Sequence, residues 1–308
     1  MSSCTKVSVV MSVFNDENWL KYSIESILNQ TFKYFEFIIV DDGSTDSSID
    51  IINYYQSIDK RIKIIRKKNT GLYDSLNVGI KSAESEWIAR IDSDDISEST
   101  RLEKQYHLAL NIGKKFIIGT NLKMIDPSGR IISEYKYPKT HKRLKNNLIT
   151  LNKFFCTSSA FFNFSIFEKL GGFRLHYKVS GDYDFWLRAL TKGYQFRCLQ
   201  EPLVFYRKRE NSLSSSNRGY NRIVNTTCAL TCFLLRKNNI FDPADIYNVN
   251  EYETHFREMV ISELKKSSII NEKNSSLRDF FYPLKSNPIY KPLTFLYKYL
   301  NKIFSLIK

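Results

Sequence analysis

An α/β fold, with a mostly parallel central sheet flanked by helices and a helical C-terminal extension, is what this 308-residue sequence predicts. Three observations predict it. Apolar runs of strand length alternate with amphipathic stretches of helix length through the first part of the chain. Those runs are apolar on both faces, as strands covered by helices on each side must be. Two acidic clusters, Asp41-Asp42 and Asp92-Ser93-Asp94-Asp95, fall where such runs end, and open parallel sheets bind ligands at the carboxyl ends of their strands.

The elements follow in order. Val7 to Phe14 is a continuous apolar run and reads as the first strand. Asn18 to Asn29 is helical, with Leu20, Ile24, Ile27 and Leu28 on one stripe. Glu36 to Val40 is the second strand, followed by a turn at Gly43-Ser44-Thr45-Asp46 in which Asp46 is placed to cap a helix running through Tyr55. Ile62 to Ile65 is a third strand, Leu72 to Ser82 a helix, and Trp87 to Ile91 a fourth strand. A helix over Glu98 to Asn111 and a strand over Phe116 to Gly119 come next.

The middle is less regular. Asp126-Pro127-Ser128-Gly129 marks a hairpin turn. Lys136 to Lys145 is a basic stretch, read as a solvated loop or a helix start. A strand over Thr157 to Phe164, a turn at Gly171-Gly172, a helix over Asp182 to Leu190, and short strands at Phe196 to Leu199 and Val204 to Tyr206 complete this half. Serine and asparagine then dominate Asn211 to Asn217, which sets the expected boundary: a first, α/β domain over residues 1–215 and a helical region over 216–308, with helices at Asn225 to Lys237 and Tyr252 to Lys266.

Composition narrows the class. With 43% hydrophobic and 14% aromatic residues the chain is globular rather than disordered. A net charge of +14 favours anionic partners, whether nucleic acid, sugar nucleotide or anionic lipid. The five cysteines are scattered, and only Cys228 and Cys232 stand at helical spacing, in an apolar stretch that suits buried thiols; this is the usage of a reducing compartment. The strand pattern begins by Val7 with no basic and apolar leader before it, and no apolar run is long enough to span a bilayer. A cytoplasmic protein is expected, with peripheral contact at the inner membrane face left open.

The cluster Asp92-Ser93-Asp94-Asp95 carries the chemistry. Carboxylates packed this closely repel one another and are costly to desolvate. A hard divalent ion, Mg²⁺ or Mn²⁺, with open positions for substrate phosphates would neutralise them. An acidic loop capping the next helix is the simpler alternative.

Taken with Ser12-Val13-Phe14-Asn15, Asp41-Asp42-Gly43-Ser44-Thr45-Asp46, Asn69-Thr70-Gly71, Asn77-Val78-Gly79 and Gly181-Asp182-Tyr183-Asp184-Phe185-Trp186, that cluster resembles the ordered motifs of the family 2 glycosyltransferases. The resemblance runs from Lys6 to Ser214 and implies the GT-A fold, a nucleotide-sugar donor and an inverting transfer. The aspartate matching Asp41 contacts the base in that family, which implies a UDP donor, with Phe14 flanking the base and Asp42 lining the pocket or holding the turn. Ser12 and Asn15 stand at the same strand end. Gly71 serves either a close backbone approach to the ligand or a plain turn. Asp74 reads as a favourable charge at a helix start.

Asp94 is expected to ligate the Mn²⁺ or Mg²⁺ ion, with Asp92 beside it on metal, metal water or ribose; Ser93 lies between them and Asp95 orients the others. Strand periodicity would point Asp92 and Asp94 the same way. The resemblance makes Asp182 the general base that deprotonates the acceptor hydroxyl. The residue before the base is commonly glutamate in the family and is Gly181 here, which puts one acceptor-side contact in doubt. Arg207 and Arg209 read either as diphosphate contacts or as a solvated basic strand edge; the family often carries histidine at the position of Arg209, and an arginine pairs with phosphate instead of ligating metal.

From Pro292 onward, Leu293, Leu296, Leu300, Ile303, Phe304 and Ile307 recur at helical spacing with Lys291, Lys298, Lys302 and Lys308 between them. This basic amphipathic helix suits an anionic membrane surface bearing a lipid-linked acceptor, or docking on protein. The implied activity is transfer of a sugar to a growing glycan, in O-antigen, capsule or other surface polysaccharide synthesis. A non-catalytic glycan- or nucleic-acid-binding basic protein is the alternative. Its nucleic-acid form is not expected, because the lysines are spread over loops and tail and the aspartates would have no use. No G-x-G-x-x-G follows the first strand, which argues against a dehydrogenase.

Overall fold

The computed structural model describes residues 5–209 and, within 225–245, residues 225–226, 228–230, 232–233, 236–237, 239 and 242–245. The basic amphipathic stretch from Pro292, the serine-rich boundary and the helix at Tyr252 to Lys266 lie outside the described residues, so the expected division near residue 215 has no structural counterpart among them.

Among the described residues nine strands form one mixed sheet. β1 (Val7–Val13), β2 (Phe35–Asp41), β3 (Ile62–Arg66) and β4 (Trp87–Arg90) are parallel, in the order β3-β2-β1-β4. The helices between them are α1 (Glu17–Leu28), α2 (Ser48–Ile58) and α3 (Leu72–Lys81). Beyond β4 the sheet mixes direction. β5 (Ile96–Ser97) precedes α4 (Arg101–Ile112), and β6 (Phe116–Ile125) and β7 (Ile131–Tyr135) form the expected hairpin around Asp126 to Gly129. α5 (His141–Ile149), β8 (Phe161–Asn163), α6 (Phe164–Leu170), α7 (Gly181–Thr191) and β9 (Gln195–Arg207) follow. β8 runs antiparallel between β4 and β6, β9 lies parallel to β6, and β5 is antiparallel to β9.

Alternation of side chains along β1 and β2 feeds two cores. Val9, Met11, Phe37 and Ile39 pack with Leu20, Ile24 and Ile27 of α1, Ile52 of α2 and Leu102 of α4 on one face. Val10, Ile38 and Val40 pack with Leu76 and Ile80 of α3, Leu144 of α5, Ile166 of α6 and Phe185 of α7 on the other. Both faces are covered, which is why these strands read as unbroken apolar runs.

Several elements differ from the sequence expectation, each for a local reason. α2 starts at Ser48, and Asp46 accepts the Ser48 N–H at 3.0 Å from just outside the helix. α4 starts three residues late because Ile96 and Ser97 pair with β9 and the Glu98 carboxylate accepts the Thr100 N–H at 2.8 Å. The expected strand at Thr157 to Phe164 is a 3-10 turn over Thr157–Ser159, the three residues of β8, and then α6, whose N-cap Asn163 accepts the Ser165 N–H at 3.1 Å. The two short strands at the end are one: the register shifts around Asn121, whose side chain donates to the Gln200 carbonyl at 2.7 Å across the irregularity. Polar Gln200 and Glu201 hide that continuity in the sequence. Among the residues from 225 to 237, those described as helical bear out the helix expected there.

Candidate active site

The carboxyl ends of β1, β2 and β4 open onto one cleft, and the turns that follow them are bonded to one another. Past β1, Phe14 is 46% exposed, an aromatic face at the cleft mouth, while Ser12 is half-buried in register with Val40. Asn15, in the left-handed region at φ 53°, donates its N–H to Ser44 Oγ at 3.1 Å and accepts the Thr45 N–H at 2.8 Å. At the end of β2, Asp41 is buried and accepts the Ser44 N–H at 3.1 Å. Asp42 is buried deeper and holds the neighbouring loop: it accepts the Lys67 ammonium, the Thr70 N–H at 3.1 Å and the Gly71 N–H at 2.9 Å. Of the two roles open to Asp42, the geometry supports holding the turn. Gly71 itself has φ +100°, which only glycine adopts without strain, and Asp74 pairs with Lys67 at 3.1 Å as well as lying in the first turn of α3.

The acidic cluster after β4 is a turn and not a strand end: β4 stops at Arg90, and the Asp95 N–H donates to the Asp92 carbonyl at 3.2 Å. The period-two argument for Asp92 and Asp94 therefore does not apply; the turn, not the pleat, brings their charges together. Each carboxylate there is answered by an arginine or a hydroxyl. Arg90, buried in β4, bonds Asp92 Oδ1 at 2.6 Å. Arg209 lies 2.6 Å from Asp94 Oδ2 and 2.6 Å from Asp16 Oδ1; at Asp94 the contact is a close ion pair, while at Asp16 it is an aligned hydrogen bond. Its guanidinium also lies over the Trp19 ring, 4.8 Å from the centroid. Ser93 Oγ donates to Asp16.

Arg207, read either as a diphosphate contact or as a solvated strand edge, is 3% exposed and spends its donors on the carbonyls of Asp94 (2.9 Å), Asp126 (3.2 Å) and Pro127 (3.0 Å), while its N–H goes to Asp95 at 2.9 Å. The reason is topological: the end of β9 passes directly beneath the acidic turn through its pairing with β5. Arg207 therefore supports that turn from below instead of facing the cleft.

Burial first, and repulsion from Asp92 second, push the Asp94 carboxyl up to about 7 against the pull of Arg209. Burial with the charges of Asp94 and Asp92 pushes Asp95 well above the carboxylate range. Burial would lower Arg90, yet the charges of Asp92 and Asp182 raise it. A hard divalent ion suits this oxygen set in kind. Among the described residues no three acidic, His or Cys side chains converge to hold one, so Asp94 and Asp92 would need substrate oxygens to complete the coordination, as small hard ions commonly do.

Asp182 lies in the first turn of α7, across from that acidic turn. Its Oδ1 accepts the Tyr73 hydroxyl at 3.3 Å and its Oδ2 accepts the Thr157 hydroxyl. The next residue, Ser158, accepts the Asp92 N–H at 3.1 Å. Adjacent hydroxyls on one turn thus hold Asp182 and the acidic cluster, with Arg90 charged toward both. Asp16, Tyr73, Arg90, Thr157 and Ser158 were missed in the sequence. Arg90 alone carried a signal, a charge inside the apolar run Trp87 to Ile91; the others meet only through long-range packing.

The glycosyl transferase family 2 model matches residues 8–171. The chain belongs to this family. Among relatives of this glycosyltransferase, an uncharacterized glycosyltransferase of Methanocaldococcus jannaschii is 37% identical over 220 residues, 68% of this chain and 73% of that one. The O-antigen biosynthesis glycosyltransferase WbnJ of Escherichia coli is 34% identical over 217 residues, 70% of this chain and 84% of its own. The crystal structure of S. aureus TarS in complex with UDP-GlcNAc superposes with a TM-score of 0.62 at 19% identity, covering 91% of this chain and 79% of that chain. That likeness bears out the GT-A fold. Among the described residues no helix is long and apolar enough to cross a membrane.

Proposed function

We propose that this glycosyltransferase moves a sugar from a UDP-sugar to a hydroxyl of a growing glycan with inversion, and that Asp182 is its general base. The observation that carries the reading is the shared turn at Thr157 and Ser158, which ties the Asp182 carboxylate and the acidic turn into one frame. A base and a diphosphate site must be fixed relative to each other for an in-line displacement. The acceptor hydroxyl gives its proton to Asp182 as its oxygen attacks the anomeric carbon, and the bond to the UDP oxygen breaks on the opposite side.

Asp41 at the end of β2, with exposed Phe14 beside it and Ser12 and Asn15 behind, is the proposed uridine pocket; the UDP-GlcNAc named with TarS supports a uridine donor. Gly71 and the loop that Asp42 holds border it. Asp94 and Asp92 would hold a Mn²⁺ or Mg²⁺ ion, with Ser93 setting the turn between them. Such an ion supplies positive charge to the departing diphosphate. Arg209, the cation already at Asp94, is placed to meet the same diphosphate, and Arg207 acts as its structural support.

The acceptor proposed is a lipid-linked oligosaccharide of surface-polysaccharide synthesis, in keeping with the O-antigen assignment of WbnJ. The net charge of +14 and the basic pattern after Pro292 support contact with an anionic membrane face. The test is UDP release from a panel of UDP-sugars, with Mn²⁺ and then with EDTA. Metal-dependent release from one sugar is expected; no release from any, with or without a glycan acceptor, would overturn the reading.

A further inference from the structure

We propose that Tyr73 is the positioning residue for Asp182, holding its carboxylate through the phenol hydroxyl and requiring glycine at position 181 through the bulk of its ring. The inference rests on Asp182 being the base.

The hydroxyl of Tyr73 is used in both directions. It accepts the Gly181 N–H at 2.8 Å and donates to Asp182 Oδ1 at 3.3 Å. Thr157 donates to the other carboxylate oxygen. Each oxygen of Asp182 is thus tied by one hydroxyl and keeps lone-pair capacity for an incoming acceptor hydroxyl. Burial first, and the Asp182 charge second, push the phenol well above its ordinary value, so it remains a donor at any pH where the enzyme would work.

The ring cannot swing away. Tyr73 is buried and packs against Phe173 at 5.6 Å between centroids. Phe173 is in turn clamped by Asn77, which bonds both its N–H and its carbonyl at 2.8 Å. The start of α3 is fixed by the bonds from Thr70 and Gly71 to Asp42. On the other side, Ser180 adopts φ 62° and its hydroxyl bonds that of Thr226 at 3.1 Å, which aims the Gly181 N–H at the phenol.

A Cβ at Gly181 would stand 2.7–2.9 Å from three Tyr73 ring atoms. The glycine that departs from the family pattern and the tyrosine beneath it are therefore one matched pair: the ring fills the space a side chain at 181 would need, and the phenol makes a polar contact to the base from that space.

The test uses the full chain and UDP release in water from UDP-Glc, UDP-Gal, UDP-GlcNAc and UDP-GalNAc, taking the sugar that the unmodified protein turns over best. Tyr73→Phe keeps the ring and removes the hydroxyl. Its kcat should fall roughly ten-fold or more, as for a hydrogen bond to a charged group, while the donor KM stays put and the melting temperature falls only modestly, for the Gly181 N–H left without its acceptor. Gly181→Ala should lower both kcat and melting temperature. In a Tyr73→Ala background, adding Gly181→Ala should cost no further melting temperature, because the space is relieved, and kcat should stay low because the hydroxyl is missing. Unchanged kcat in Tyr73→Phe would overturn the proposal. So would a raised donor KM together with a fall in melting temperature as large as that of Tyr73→Ala, which marks packing alone. An unmodified protein that turns over none of the four sugars would remove the base reading and this proposal with it.

Discussion

Arg209 Nε stands 2.6 Å from Asp94 Oδ2, so the carboxylate expected to ligate a metal already has a cation of its own. The same guanidinium reaches Asp16 at 2.6 Å and rests on Trp19, a three-sided hold that a solvated strand edge would not have. A divalent ion at Asp94 must share or displace that charge. Arg209→Gln should therefore tighten Mn²⁺ binding to the nucleotide-free protein, on the order of ten-fold for a partly buried pair. It should also weaken UDP binding, because the diphosphate loses a charged donor. Free Mn²⁺ followed by electron paramagnetic resonance, and UDP titration calorimetry, report the two effects separately. Unchanged Mn²⁺ affinity would mean that Arg209 and the ion do not contend for Asp94.

Asp182→Asn preserves the shape of the side chain and both hydroxyl contacts in outline, while removing the proton acceptor. Transfer should fall by roughly 10²- to 10⁴-fold, the usual contribution of a positioned base. UDP affinity should be nearly intact, since Asp41 and the acidic turn are untouched. Steady-state transfer and UDP calorimetry on the same preparation decide it, and normal turnover would take Asp182 out of the mechanism.

The parallel half of the fold was legible because its strands are apolar on both faces and its helices carry single stripes; β1 to β4, α1 and α3 lie within a residue or two of their expected places, and α2 runs three residues past its expected end at Tyr55. The motif aspartates were legible for the same reason, since Asp41 ends β2 and Asp92 opens the turn just past β4. The mixed half was not, because β8 is three residues long, β9 is broken in sequence by polar Gln200 and Glu201, and neither has a periodic signature. The groups that hold Asp182 were hidden more deeply. Tyr73 is 109 positions from it and Thr157 is 25, and an isolated tyrosine or threonine announces nothing. The burial of Arg207 was not legible, because nothing local says that β9 ends beside the acidic turn.

Arg90 carries charge in the middle of the sheet, paired to Asp92 and facing the charge of Asp182. Arg90 is buried but Asp92 is 30% exposed, so removing the arginine leaves a partly solvated carboxylate without its charged donor, at about 1–3 kcal/mol. Arg90→Met should therefore destabilise the fold by about that amount in urea unfolding, and should abolish transfer because two functional carboxylates lose their shared countercharge. Arg90→Met combined with Asp92→Asn should recover part of the stability and none of the activity. A single variant as stable as the unmodified protein would show that Arg90 contributes no such compensation.

Acid stability should report on a second network, away from the cleft. Asp242 is buried between Arg174, at 2.8 Å, and Arg236, and Arg174 also bonds Asp184 of α7 at 3.2 Å. Burial would raise the Asp242 carboxyl, but Arg236 and Arg174 outweigh it and hold it at about 2 against an ordinary 3.8. The folded value lies below the unfolded one, so the stabilisation is fully present above the unfolded value and is lost as pH falls toward the folded one. The depression corresponds to about 2 kcal/mol. Asp242→Asn should lower unfolding free energy by at least that much at pH 7, and the gap from the unmodified protein should narrow from pH 4 down to pH 2. Urea unfolding followed by far-ultraviolet circular dichroism across that range measures the gap directly. A gap that stays constant with pH would mean that the carboxylate of Asp242 is not what binds residues 242–245 to α7.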